Sequence, residues 1–123
     1  MSGGLVDIGT NNGPIKFDAV INNVGNGYNP QTGVFTAPVT GTYVMYAQIM
    51  KHGVQAGLHY AIDKSGTILC LNSVDYADWD KSSCLATVHM YRGEEVYVRR
   101  HSGGQYLEGT YSYFSGFLVS ADA

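Results

Sequence analysis

The residues best equipped for chemistry fall in two short stretches. Asp75-Tyr76-Ala77-Asp78-Trp79-Asp80 places the chain's single tryptophan among carboxylates, in a segment without strand alternation. An indole facing solvent is costly unless it packs or binds something. Sugars offer apolar C–H faces to such a ring, and carboxylates accept their hydroxyl hydrogens. Asp75, Tyr76, Asp78 and Trp79 are therefore candidate sugar contacts. Asp75, Asp78 and Asp80 are also hard oxygen donors that could hold calcium. The competing structural reading has Trp79 cap one end of the domain above solvated aspartates. The second stretch is Arg99-Arg100-His101, running into Ser102-Gly103-Gly104-Gln105-Tyr106. A guanidinium fork pairs with a carboxylate through two parallel hydrogen bonds, which suits an acidic sugar. On a strand that turns Val96 and Val98 inward, Arg100 shares their side, while Tyr97, Arg99 and His101 face outward. Arg100, Gln105 and Tyr106 are the second set of expected ligand contacts.

No catalytic constellation accompanies them. His52, His59, His89 and His101 fall in no metalloprotease spacing, and there is no Gly-x-Ser-x-Gly elbow or phosphate-cradling glycine motif. Glu94 and Glu95 are adjacent, so a strand would point them apart. No enzyme is expected, and calcium is the one cofactor the residues offer. Cys70 and Cys84 are the only thiols, too few for a four-ligand zinc site. They either close a disulfide loop of about 15 residues, contributing about 3 kcal/mol in the chain-entropy view, or sit in the core as free thiols.

The elements that must position these groups are strands. Only 14% of the 123 residues are charged, against about 25% in ordinary soluble domains, while ten are tyrosine and 16 glycine. Low charge with many aromatics excludes a disordered chain, and the glycines lack a collagen period. A net charge of −3 argues against a phosphate-binding surface. No apolar run approaches the roughly 18 residues of a membrane helix, and the start lacks a signal peptide's basic and apolar regions. The protein is therefore expected to be either cytosolic or secreted with a leader that has been removed. Turn signals such as Asn11-Asn12-Gly13-Pro14, Asn26-Gly27 and Thr40-Gly41 crowd the first third. Alternation predicts a half-buried strand over 15–21, a central strand buried on both faces over 42–51, and further strands at 58–62, 67–71, 85–91, 95–101 and 111–119. Eight to ten short strands joined by short loops predict an all-β sandwich or barrel.

Two blocks of residues carry a family resemblance. Phe17, Asn23, Gly25, Tyr28, Asn29, Thr32-Gly33, Phe35-Thr36-Ala37-Pro38, Gly41 and Tyr43 resemble the opening of the complement C1q globular head domain. Leu85, Val88, Gly93-Glu94, Val96 and Phe114-Ser115-Gly116-Phe117-Leu118 resemble its close. The resemblance spans residues 14–120, leaving 1–13 as an N-terminal segment or first short strand and 121–123 as a tail. It implies a ten-stranded jelly roll of the tumour-necrosis-factor type, assembled as a homotrimer. It further implies that the outward side of the 95–101 strand faces the threefold axis, making Tyr97, Arg99, His101 and Phe114 expected interface residues, with Arg99 in an intersubunit ion pair. Glu94 stands where the family commonly has Asp, and no Gly-x-y stalk is present. Stand-alone heads of this kind resemble secreted invertebrate lectins, pattern-recognition proteins of innate immunity that bind microbial sugars or sialic acid. The alternative it implies is an adiponectin-like or tumour-necrosis-factor-like ligand, or a trimerising scaffold, with a protein partner.

Overall fold

The computed structural model describes residues 5–17, 27–52, 57–74 and 81–122, with ten strands and no α-helix among them. They are β1 (Leu5–Asp7), β2 (Tyr28–Asn29), β3 (Val34–Thr36), β4 (Gly41–Met50), β5 (Leu58–Lys64), β6 (Thr67–Val74), β7 (Lys81–Met90), β8 (Glu95–Gly103), β9 (Tyr106–Glu108) and β10 (Tyr113–Ala121). All pair antiparallel, in the orders β2-β3-β8-β5-β6, β10-β4-β7 and β1-β9. A bridge between Lys51 and Leu107 attaches the short β1-β9 pair to the end of β4. Two stacked sheets with an edge pair make a jelly-roll sandwich.

Alternation builds the core. On β4, Tyr43, Met45, Ala47 and Ile49 are buried, whereas Thr42, Val44, Tyr46, Gln48 and Met50 are only half-buried. The sequence predicted burial on both faces of this strand. The structure gives one, because no further layer covers the outer face of β10-β4-β7 among the described residues. Across the sandwich, Leu58, Tyr60 and Ile62 of β5 and Val96 and Val98 of β8 complete the interior. Tyr60 is wholly buried and donates its hydroxyl to Ser82 O on β7 at 3.1 Å, a polar tie between the sheets. Burial raises its phenol above the ordinary tyrosine range.

Several expected elements shift. Ile15 and Phe17 are buried and Lys16 exposed, as alternation predicts, yet the strand pairing of residues 14–17 is a bridge from Pro14 to Arg99 and a bond from Ile15 N–H to Val98 O, while Phe17 N–H donates to the Tyr28 hydroxyl at 2.9 Å. The remainder of the predicted 15–21 strand lies outside the described residues. β6 and β7 run further toward each other than predicted, and β10 begins after a 3₁₀ turn at Gly109–Tyr111.

Cys70 of β6 and Cys84 of β7 form a disulfide with their Cα atoms 6.4 Å apart. It joins the edge strand of one sheet to the edge strand of the other. Asn72 Nδ2 donates to Ser83 O beside it. Replacing both cysteines with alanine is expected to lower unfolding stability by about 3 kcal/mol, the loop-closure contribution of a 15-residue loop. Urea denaturation measures this, and an unchanged midpoint would show that the covalent link adds nothing to the packing.

Candidate functional site

The topology sets the C-terminal end of β6 beside the turn that follows β8. Leu58 pairs with Gly103 on one side and with Val74 on the other. The chain therefore leaves β6 toward 75–80 level with the turn after β8. Asp75, Tyr76, Asp78, Trp79 and Asp80 lie outside the described residues, and with them the expected sugar contacts and calcium donors of that segment.

The turn after β8 is shaped by its backbone. Gly103 has φ of 86°, and a Cβ there would collide with Gly57 O, so only glycine fits. Arg100 fastens the turn: its Nε donates to Gly104 O at 3.0 Å, Nη2 to Gly103 O, and Nη1 to Asn12 Oδ1 at 2.9 Å. Asn12 in turn donates its Nδ2 to His101 O at 3.4 Å. The guanidinium expected to contact ligand thus spends three N–H groups as a clasp between β8 and the 9–13 loop. Gln105 likewise donates its Nε2 to Asp7 Oδ1 at 3.0 Å. Tyr106 is partly exposed on β9, opposite Asp7.

A bulge in the β5–β8 pairing between His59 and Tyr60 displaces His101 from regular alternation. Ser102 Oγ stands 3.0 Å from His59 Nδ1 and 3.4 Å from His101 Nδ1. Hydroxyl and imidazoles can recognise polar ligands there. Among the described residues no three His, Cys, Asp or Glu side chains gather closely enough to hold a metal.

Arg99 has its ion partner within the chain: Nε donates to Asp63 Oδ2 at 2.8 Å. Asp63 is buried at 2% exposure and also accepts from Gly66 N–H at 2.7 Å, closing the β5–β6 turn. Tyr97, Arg99 and His101 belong to the five-stranded sheet. Phe114 turns inward, level with Ala47, and packs on Phe17 and Tyr28 with ring centroids 6.0 and 5.8 Å away.

The uncovered apolar surface lies elsewhere. On the outer face of β10-β4-β7 the register aligns Phe117 with Val44 and Thr87, and Ser115 with Tyr46 and Leu85. Tyr113 stands opposite Gln48, its ring 5.8 Å from that of Tyr46. The hydrogen bond with Tyr46 raises the Tyr113 phenol above its usual range. Leu85 is 62% and Phe117 57% exposed. Sequence reasoning missed this face because Phe117, Leu85 and Tyr113 sit on strands whose other residues enter the core. The strand order alone shows which alternate set stays outside. At its edge His89 Nε2 meets Asp122 Oδ2 at 2.9 Å.

Ten antiparallel strands in a two-sheet sandwich, with an apolar outer sheet face and a clasped polar end, define a jelly-roll domain of the tumour-necrosis-factor type. The chain belongs to the C1q domain family, whose profile matches residues 6–119. It is 31% identical over 117 residues to Caprin-2 of Danio rerio, covering 93% of this chain and 13% of that protein. It is 32% identical over 111 residues to human complement C1q tumor necrosis factor-related protein 3, covering 88% of this chain and 45% of that one. The chain thus spans less than half the length of these relatives. Among solved structures, the globular domain of zebrafish complement 1qA superposes with a TM-score of 0.70 at 17% identity, covering 97% of this chain and 93% of that one. The Eiger TNF of S. frugiperda superposes with a TM-score of 0.68 at 20% identity, covering 98% and 90%. Among the described residues, no helix is long and apolar enough to cross a membrane.

Proposed function

We propose that this chain is a secreted C1q-domain lectin, a homotrimer that recognises glycans, including acidic sugars such as sialic acid, on surfaces that display many copies. The observation that carries the assembly is the uncovered face of β10-β4-β7, where Leu85, Tyr113 and Phe117 are exposed together. A threefold ring needs two different surfaces on each subunit. That sheet face is one, and the adjoining edge with Ile68 and Leu71 exposed on β6 supplies the other. Assembly repeats each recognition end three times, so weak contacts gain avidity on a multivalent surface. Sugar recognition is supported by the low charge and by the hydroxyl, amide and imidazole groups around Ser102 and Asn12. The disulfide fits an oxidising compartment.

A glycan array read with intact trimer, with and without calcium, tests the reading. Binding that falls at least tenfold in Trp79→Ala, with the trimer retained, supports it; no binding to any sugar overturns it. The second reading, a ligand for a protein receptor, draws on the relative named for tumor necrosis factor. It predicts indifference to sugars and saturable capture by a cell-surface protein.

A further inference from the structure

The four histidines divide into two pairs. His89 Nε2 meets Asp122 at 2.9 Å, and His52 Nε2 lies 4.0 Å from Glu108. Neither His59 nor His101 pairs with a carboxylate among the described residues. Both are exposed on the five-stranded sheet, and both turn their Nδ1 atoms to one hydroxyl, that of Ser102.

Their meeting depends on a bulge. Consecutive strand residues ordinarily point to opposite faces. Here Tyr60 stands opposite Arg100 and His59 opposite Ser102, so His101 is an extra residue in β8. A bulge of this kind re-aims a side chain. It sets Ser102 Oγ 3.0 Å from His59 Nδ1 and 3.4 Å from His101 Nδ1. The clasp holds the bulge in place, because Asn12 donates to His101 O and Arg100 grips Asn12. Asn12 and Arg100 are therefore positioning residues for this cluster.

The two separations have a chemical meaning. An ion bound about 2.1 Å from each of two donors sets them about 3.0 Å apart at a right angle and about 3.4 Å apart at the tetrahedral angle. Without an ion, the hydroxyl donates to one ring and accepts from the other. With one, lone pairs of both rings and of the hydroxyl can turn to a common point. Imidazole nitrogen suits zinc, nickel and copper, whereas calcium takes oxygen ligands. No third His, Cys, Asp or Glu joins the cluster among the described residues. The hydroxyl is thus the third donor, and water completes the shell. That makes an open, exchangeable site, unlike the closed four-ligand sites of structural zinc.

We infer that His59 Nδ1, His101 Nδ1 and Ser102 Oγ bind a divalent transition-metal ion of the zinc class. The site lies on β5 and β8, apart from the uncovered face of β10-β4-β7, and it does not depend on the glycan reading.

The test is a titration of the full chain with zinc chloride, followed by calorimetry and by imidazole nitrogen chemical shifts. One ion per chain is expected to move the Nδ1 signals of His59 and His101 and to leave those of His52 and His89 in place. His59→Gln and His101→Gln should each weaken binding about tenfold, and Ser102→Ala about threefold. Circular dichroism should not change, since none of the three side chains belongs to the hydrophobic core. His89→Gln should bind as wild type, and excess calcium should not displace the zinc. A chain carrying both His59→Gln and His101→Gln that still binds zinc as tightly as wild type overturns the inference. So do shifts confined to other histidines, displacement by calcium, and the absence of any shift at about 1 mM zinc.

Discussion

Phe117→Asp is expected to convert the proposed trimer of three 13.3 kDa chains into folded monomers. Phe117 is 57% exposed on the isolated chain and lies level with Val44 and Thr87 on the outer sheet face. A carboxylate there leaves the core untouched, because Tyr43, Met45 and Ala47 point the other way. In an assembled face the same charge is buried without a partner, at a cost of several kcal/mol per copy. Three copies multiply that penalty. Light scattering reads the mass, and circular dichroism confirms that the strands remain. A wild-type mass of one chain would refute the proposed assembly, and a trimeric Phe117→Asp would move the interface off this face.

The second large effect concerns Asp63. Asp63→Ala is expected to cost about 3–5 kcal/mol, the usual loss when one partner of a buried ion pair is removed. It strands the Arg99 guanidinium, whose side chain is only 19% exposed, and takes the acceptor from Gly66 N–H. Replacing both partners, as Asp63→Leu with Arg99→Met, should recover much of the loss, since an apolar pair leaves no orphaned charge. The difference between single and double variants in urea midpoints measures the coupling. A loss below about 1 kcal/mol for Asp63→Ala, typical of an exposed pair, would show that water already screens the bridge.

This pair marks where the sequence stops being legible. Arg99 invites a carboxylate partner, but Asp63 lies 36 positions away. It becomes a neighbour only because β5 and β8 pair with Asp63 opposite Tyr97. Local alternation names a strand's two faces without saying which meets the other sheet. Hence Val96 and Val98 were readable as core, whereas the uncovered face of β4, β7 and β10 was not. The same limit explains Phe114: Tyr111-Ser112-Tyr113-Phe114 offers aromatic residues to both faces, and register sends Phe114 inward beside Ala47. Arg100 and Gln105 stood out as polar groups near a glycine turn. Their partners, Asn12 and Asp7, come from a segment nearly 90 positions or more earlier. The all-β class needed only short alternating runs, turn residues and the two family blocks.

The disulfide has a consequence for motion as well as for stability. Among the described residues both sheets end on one side in an edge strand, β6 and β7, and the bond between Cys70 and Cys84 fastens the two. A sandwich can open locally by letting such edges swing apart, at a free energy below that of global unfolding. The link makes that excursion unavailable, so amide hydrogens along β6 and β7 exchange only through deeper openings. Reduction would therefore accelerate exchange first on these two strands while β4, centred in its sheet, stayed protected.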